Sequence, residues 1–259
     1  YEQYGLSTKK KKGVSALSGR KDQAVESSGR FSTDESKDTL LERELQQKIK
    51  DEELARKKAK SIANDLNLWA SLATTGMSTY LKRKGVAEVA RGTESIRYGT
   101  GFIAALICDI DCAAKGIQKI YDDGSKLFTY GLEKKGSFIL LGTINEKHPS
   151  FFVVEGLATG LTIFQATRGT TPVICALDAG NLAPVIEALR KKYGTKSQCP
   201  IIIAADNDQW KAANLDSQTK NPIGNTGMIK SHQAAMKHRC LVVSPNFDGL
   251  DISNLPTDF

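Results

Sequence analysis

Four short apolar runs punctuate the second half of the chain: Phe151-Phe152-Val153-Val154, Pro172-Val173-Ile174-Cys175-Ala176-Leu177, Ile201-Ile202-Ile203-Ala204-Ala205 and Leu241-Val242-Val243. Each is too short for a helix. The first three run directly into acids, at Glu155, Asp178 and Asp206-Asn207-Asp208, the pattern of strands buried on both faces of a parallel sheet. Helical spacing fills the gaps between them. Leu157 to Arg168 places Leu157, Leu161 and Phe164 on one face, and Leu182 to Tyr193 places Leu182, Val185, Ile186 and Leu189 there before a stop at Gly194. Asn225 to His238 has weaker spacing around Ile229, Ala234, Ala235 and Met236. Alternating strands and helices predict βαβ units with right-handed crossovers, which bring all the carboxyl ends to one edge. Glu155, Asp178, Asp206 and Asp208 therefore share the edge at which open α/β sheets bind ligands.

The first half reads differently. Residues 1–33 are polar, with a lysine run from Lys9 to Lys12, and predict a flexible arm. From Asp34 to about Ala73 the pattern is helical: a charged first part, then an apolar stripe at Ala59, Ile62, Leu66, Trp69 and Ala73, with Gly76 as the stop. Thr79 to Val86 is a short helix end carrying Lys82, Arg83 and Lys84, which suits the negative end of a helix dipole. Short strands follow over 102–107, 116–121, 127–130 and 138–141, with turns at Asp122-Asp123-Gly124 and Lys134-Lys135-Gly136, predicting a small antiparallel sheet. Arg97, Lys115, Lys119 and Lys126 suit exposed edge strands, and Asp109 and Asp111 suit a hairpin turn. Three regions result: a basic arm with a long helix (1–75), a β-rich subdomain (76–148) and an α/β domain (149–259).

Composition narrows the partners. The chain has 259 residues, 40% of them hydrophobic, enough for a sizeable core. Its net charge of +7 favours polyanions, and most of the basic excess falls upstream of the acidic edge. Cys108, Cys112, Cys175, Cys199 and Cys240 have no paired metal spacing, and His148, His232 and His238 stand at no ligand spacing to them, so reduced thiols in a cytoplasmic protein are expected. No apolar run is long enough to cross a bilayer. The chain starts without methionine, which fits a piece of something longer.

Converging carboxylates need a counter-ion. Two unit charges about 4 Å apart cost ~4 kcal/mol at an effective dielectric of about 20. A divalent cation with oxygen ligands removes that cost. Asp206 and Asp208 would share one ion if the chain turns at Asn207, or hold two if the strand persists.

Glu155-Gly156 closing one strand and Asp206-Asn207-Asp208 closing a later one resemble the Toprim signature of DnaG-type primases, topoisomerases and some nucleases. Further stretches, Glu155-Gly156-Leu157-Ala158-Thr159-Gly160, Asp178-Ala179-Gly180-Asn181-Leu182, Gly224-Asn225-Thr226-Gly227 and Tyr80-Leu81-Lys82-Arg83-Lys84-Gly85-Val86, resemble the TraC-type primases of conjugative plasmids and phages. That resemblance implies a Toprim-type parallel sheet flanked by helices, beside a basic β-rich subdomain. It also implies synthesis of RNA primers from ribonucleoside triphosphates on single-stranded DNA, with a helicase or other replication proteins as partners and no membrane. Glu155, Asp206 and Asp208 become the catalytic and metal-holding set for Mg2+, with Mn2+ able to substitute, and Asp178 and Asp258 are additional candidates. Lys82, Arg83, Lys84, Arg97 and Lys126 become nucleic-acid or nucleotide contacts, a lysine at the position of Lys126 facing template and nucleotide in the family.

Two departures stand against the resemblance. The cysteine-rich zinc module of DnaG-type primases is missing, and related primases continue past the position of Thr257-Asp258-Phe259 with further acidic and amide residues. The same acids would also serve a Toprim nuclease working with water, or persist as caps in a non-catalytic nucleic-acid-binding module. Asp178 or Asn181, for instance, would simply cap the helix that begins near Leu182.

Overall fold

In the computed structural model, which describes residues 34–144, 150–193, 200–209, 214, 222 and 224–247, the expected long helix is α1 (Asp34–Ser71). The arm over 1–33, Gly194, Cys199, His148 and Asp258 lie outside the described residues. Two units are distinguished, residues 1–51 and 52–259. Of the first, only the start of α1 is described, and Leu40, Leu41, Leu45 and Ile49 are exposed on it.

In the second unit, the later part of α1 half-buries Ile62, Leu66 and Trp69. Asp65 pairs with Lys119 at 2.9 Å, and Trp69 lies under the guanidinium of Arg97, 4.2 Å from the ring centre. Two short helices follow, α2 (Thr79–Arg83) and α3 (Ala87–Arg91). Strands β1 (Ile96–Gly99), β2 (Phe102–Cys108), β3 (Ala114–Tyr121) and β4 (Lys126–Phe128) then form one antiparallel sheet in that order. Its first strand was not anticipated, because four residues reading Ile-Arg-Tyr-Gly are too few to show an alternation.

The fourth expected strand of this sheet belongs elsewhere. β5 (Ile139–Leu141) pairs antiparallel with β7 (Val173–Cys175), at the edge of a second sheet. Ile139 and Leu141 are fully buried. An apolar triplet needs cover on both faces, and pattern alone does not say which sheet supplies it. The two sheets join through Phe138, whose backbone exchanges two 2.9 Å hydrogen bonds with Cys108.

The second sheet has the order β5-β7-β6-β8-β9, with β6 (Phe151–Val154), β8 (Ile201–Ala204) and β9 (Leu241–Val243) all parallel to β7. The four expected parallel strands are thus present, extended by one antiparallel edge. Helices α4 (Leu157–Ala166), α5 (Leu182–Tyr193) and α6 (Thr226–His238) supply the crossovers. α4 approaches β7 at Gly160, where a side chain would bring a carbon within 2.4 Å of the Cys175 sulfur. α5 buries Leu182, Val185, Ile186 and Leu189, the stripe its spacing predicts. One apolar cluster runs from Ile103 and Ile120 of the first sheet to Val154, Val173 and Cys175 of the second. The fold is mixed α/β. Among the described residues no helix is long and apolar enough to cross a membrane, and Cys108, Cys112, Cys175 and Cys240 are free thiols.

Asp178 and Asn181 divide the work that sequence assigned to either. Asp178 caps the short 3-10 turn Ala179–Asn181, accepting from the Asn181 N–H at 3.0 Å. Asn181, buried, joins three segments: Nδ2 donates to the carbonyls of Ser137 and Ala176 and Oδ1 accepts from the Gly136 N–H, each at 2.8 Å. Asn181→Ala strands those buried backbone groups, so it should lower stability in urea unfolding by about 3 kcal/mol while leaving the far-UV spectrum unchanged.

Candidate active site

The register of the second sheet lines up its acids. Val154 pairs with Cys175 on one side and Ala204 on the other. Glu155 is therefore level with Ala176 and Ala205, and Asp178, Asp206 and Asp208 follow just beyond the ends of the flanking strands. β8 ends at Ala204 and the last sheet-like bond runs from Ala205 N–H to the Val243 carbonyl at 2.8 Å. The chain has left the strand before Asp206, so strand spacing does not set the separation of Asp206 and Asp208.

Gly156 forms the N-cap of α4 without a side-chain cap, and Thr159 sits in the first turn. Thr159 is buried, and its hydroxyl donates to Asp206 Oδ1 at 3.0 Å. Leu177, after β7, has φ +76, a left-handed backbone that a leucine adopts only under local constraint. Asp208 is anchored through its backbone, its N–H donating to Asn225 Oδ1 at 3.1 Å.

The basic helix reaches this edge because α2 is tied to the β3–β4 turn. Ser78 Oγ accepts from the Leu81 N–H and donates to Asp122 Oδ1, both at 3.3 Å, and the Thr79 N–H donates to the same oxygen at 2.9 Å. At the other end of α2, Arg83 Nη1 donates to the Asp122 carbonyl at 3.1 Å. α2 and the hairpin that starts β4 with Lys126 are thus held as one piece.

Between that piece and the acidic edge lies a cavity of about 310 Å³. Arg83, Lys84 and Lys126 stand in the same wall set as Glu155, Thr159 and Asp206, with Leu177 between strand ends. Lys82 is exposed with its Nζ 3.7 Å from Met77 Sδ, and does not line the cavity. Arg97 lies away from it, stacked on Trp69 beside a separate cavity of about 630 Å³. Asp178 pairs with Lys134. Lys115 pairs with Asp109 at 2.8 Å, and Asp109 and Asp111 lie in the turn after β2, as expected. Thr159, Asn225 and Tyr80 are the site residues that sequence reasoning passed over. All three sit inside the quoted motifs, and the signal for Thr159 was its place in the first turn of a helix opening on the acidic edge.

Electrostatics bind the acids into one system. Burial pushes the Glu155 carboxyl up from 4.5 to about 7, and the charges of Asp206, Asp208 and Asp178 add to the rise against the opposing pull of Lys126. These oxygens are the donors a hard cation takes. Among the described residues no three His, Cys, Asp or Glu side chains already converge as a ligand cluster. Magnesium commonly takes only one or two carboxylates and fills its remaining positions with water and substrate phosphates, so the donor set fits it without a closed cage.

No protein-family model matches the chain. Over 164 residues, 62% of its length, it is 33% identical to the DNA primase TraC of Escherichia coli. The chain resembles a TraC-type DNA primase. The match spans only 14% of that larger protein. Among solved structures, the primase fragment of the bacteriophage T7 primase-helicase protein aligns at TM-score 0.45 and 16% identity, over 70% of this chain and 73% of that one. The DnaG catalytic core aligns at 0.39 and 16%, over 78% and 66%.

The raised Glu155 carboxyl makes a prediction for the metal-free protein. Between about 4.5, where the unfolded carboxyl titrates, and about 7, where the folded one does, the unfolded chain has released a proton that the folded chain keeps. Its contribution is therefore full below the lower value and lost as pH rises through the upper, by no more than about 3 kcal/mol. Glu155→Gln should flatten that part of the stability profile measured by urea unfolding at stepped pH, and an unchanged slope in the variant would assign it to other groups.

Proposed function

We propose that the chain is the catalytic core of a Toprim-type DNA primase, joining ribonucleotides into short RNA primers on single-stranded DNA. The observation that carries this reading is the cavity shared by Arg83, Lys84 and Lys126 with Glu155 and Asp206. Nucleotidyl transfer needs cations for phosphates and an acidic set for a metal within reach of the same reacting atoms. The sequence similarity to TraC supports primer synthesis over hydrolysis or mere binding at such a site.

In this reading Lys126, Arg83 and Lys84 hold template and triphosphate phosphates, with Lys82 and Arg97 as outlying contacts on the template. Asp206 and Asp208, with Glu155 beside them, hold magnesium or manganese, which when bound supplies positive charge to the phosphoryl oxygens. Thr159 keeps Asp206 turned towards the cavity. Glu155 takes the proton of the primer 3′-hydroxyl as that oxygen bonds to the α-phosphorus of the incoming nucleotide and pyrophosphate leaves. The setting we assign is plasmid or phage replication or conjugation in the cytoplasm, alongside a helicase or other replication proteins.

Primer synthesis on single-stranded DNA with four ribonucleotides, with and without magnesium, tests the reading. Asp206→Asn should reduce product below detection while sparing DNA binding, since it removes negative charge near the backbone. Lys126→Ala should weaken DNA binding and make the slope of log K against log salt shallower by about 0.7, the value of one phosphate contact to a single strand. Primers made by Asp206→Asn would sink the mechanism, and an unchanged salt slope in Lys126→Ala would sink the template path.

A further inference from the structure

We propose that Asn225 is a positioning residue that holds the Asp206-Asn207-Asp208 loop in the arrangement the acidic site requires. The inference rests on the metal site proposed above. Its starting point is that β8 stops at Ala204, one residue before the last strand-like bond at Ala205 and two before Asp206. The loop beyond it is gripped by neighbouring elements.

The Asn225 side chain makes three hydrogen bonds. Nδ2 donates to Asn207 Oδ1 at 2.8 Å, and Oδ1 accepts from the Asp208 N–H at 3.1 Å and from the Met228 N–H at 3.4 Å. Only the last is a helix cap, and it is the longest. A residue present simply to cap α6 would direct its best geometry into the helix. Asn225 instead directs its two shorter bonds into the acidic loop, one to the side chain between the two aspartates and one to the backbone of the second.

Two further contacts belong to the same grip. Asn207 Nδ2 donates to the Pro245 carbonyl at 3.1 Å, fastening the loop to the segment after β9. α6 also packs its first turn on Asp206: a side chain at Gly227 would place a carbon 2.5 Å from the Asp206 carbonyl oxygen. Glycine at 227 therefore lets the helix end close on the backbone of one aspartate while Asn225 holds the backbone of the other. The run Gly224-Asn225-Thr226-Gly227 thus acquires a role as the clamp on the acidic loop. Groups that orient metal-holding side chains without touching the metal typically change affinity 10- to 100-fold when removed.

Two substitutions separate clamp from cap. Asn225→Ser keeps a good N-cap oxygen but is too short to reach Asn207, and Asn207→Ala cuts the same link from the loop side without touching the helix. Mn2+ binding is read by electron paramagnetic resonance, exchange of the Asp208 amide by NMR without metal, and primer synthesis by kcat and KM. Each variant should bind Mn2+ about 10-fold or more weakly, exchange the Asp208 amide faster, and lose kcat with little change in KM for ribonucleotides. The double variant should lose less than the sum of the two single losses, because the Asn225–Asn207 bond is removed by both. Wild-type amide exchange and Mn2+ affinity in Asn207→Ala, or fully additive losses in the double variant, would overturn the clamp. If Asn225→Ser unfolds α6, Asn207→Ala decides alone. Absence of Mn2+ binding by the wild-type protein, with amide protection lost in the variants, would instead overturn the metal site while leaving the loop's dependence on Asn225 in place.

Discussion

β6 is hydrogen-bonded along both edges, to β7 and to β8, and the residue that follows it is a carboxylate. A one-residue shift would draw the Glu155 carboxylate into the position of fully buried Val154 or push an apolar residue out to the edge, so Glu155 has one place to be. Burial there raises its pKa, and the neighbouring strands deliver three more acids to the same edge. The site is a region of stored repulsion that the packed sheet sustains. A hard cation, a phosphate-borne counter-ion or a proton relieves it, and the same feature underlies both the pH behaviour and the proposed chemistry.

Positive charge reaches this edge by a separate route. Asp122, in the turn between β3 and β4, binds the start of α2 through its side chain and Arg83 through its carbonyl. One turn therefore sets the position of a basic helix and of the strand that begins with Lys126. Phe138 then links that antiparallel sheet to the parallel one through two backbone bonds, and a shared apolar cluster fills the space between. The cations and the carboxylates face each other across a cavity because two sheets share a core, although they come from distant parts of the chain.

Much of this was written in local pattern. Four short apolar runs, three of them ending in acids, identified the four parallel strands, because a buried strand needs continuous apolar cover and its end is the first place a charge can meet water. Apolar spacing located α4 and α5, and Leu182, Val185, Ile186 and Leu189 are buried as that spacing required. Glu155 and Asp206 could be paired in advance because parallel topology brings strand ends together whatever the intervening sequence. The likeness to primases was legible in the same motifs.

Pairings between distant segments could be decided only by packing in three dimensions. The triplet Ile139–Leu141 looks the same whichever sheet it joins, and the fold assigns it to the parallel one. Arg97 and Lys126 both read as basic residues near short strands, yet one stacks on Trp69 and the other lines the acidic cavity. In sequence Asn225 only opens a weakly spaced helix, while its shorter side-chain bonds run to a loop 17 and 18 residues away. Hydrophobic periodicity records which face of an element is buried, since that is a property of the element itself. The partner of a hydrogen-bonding or charged side chain is a property of two elements at once, and it exists only after both have been placed.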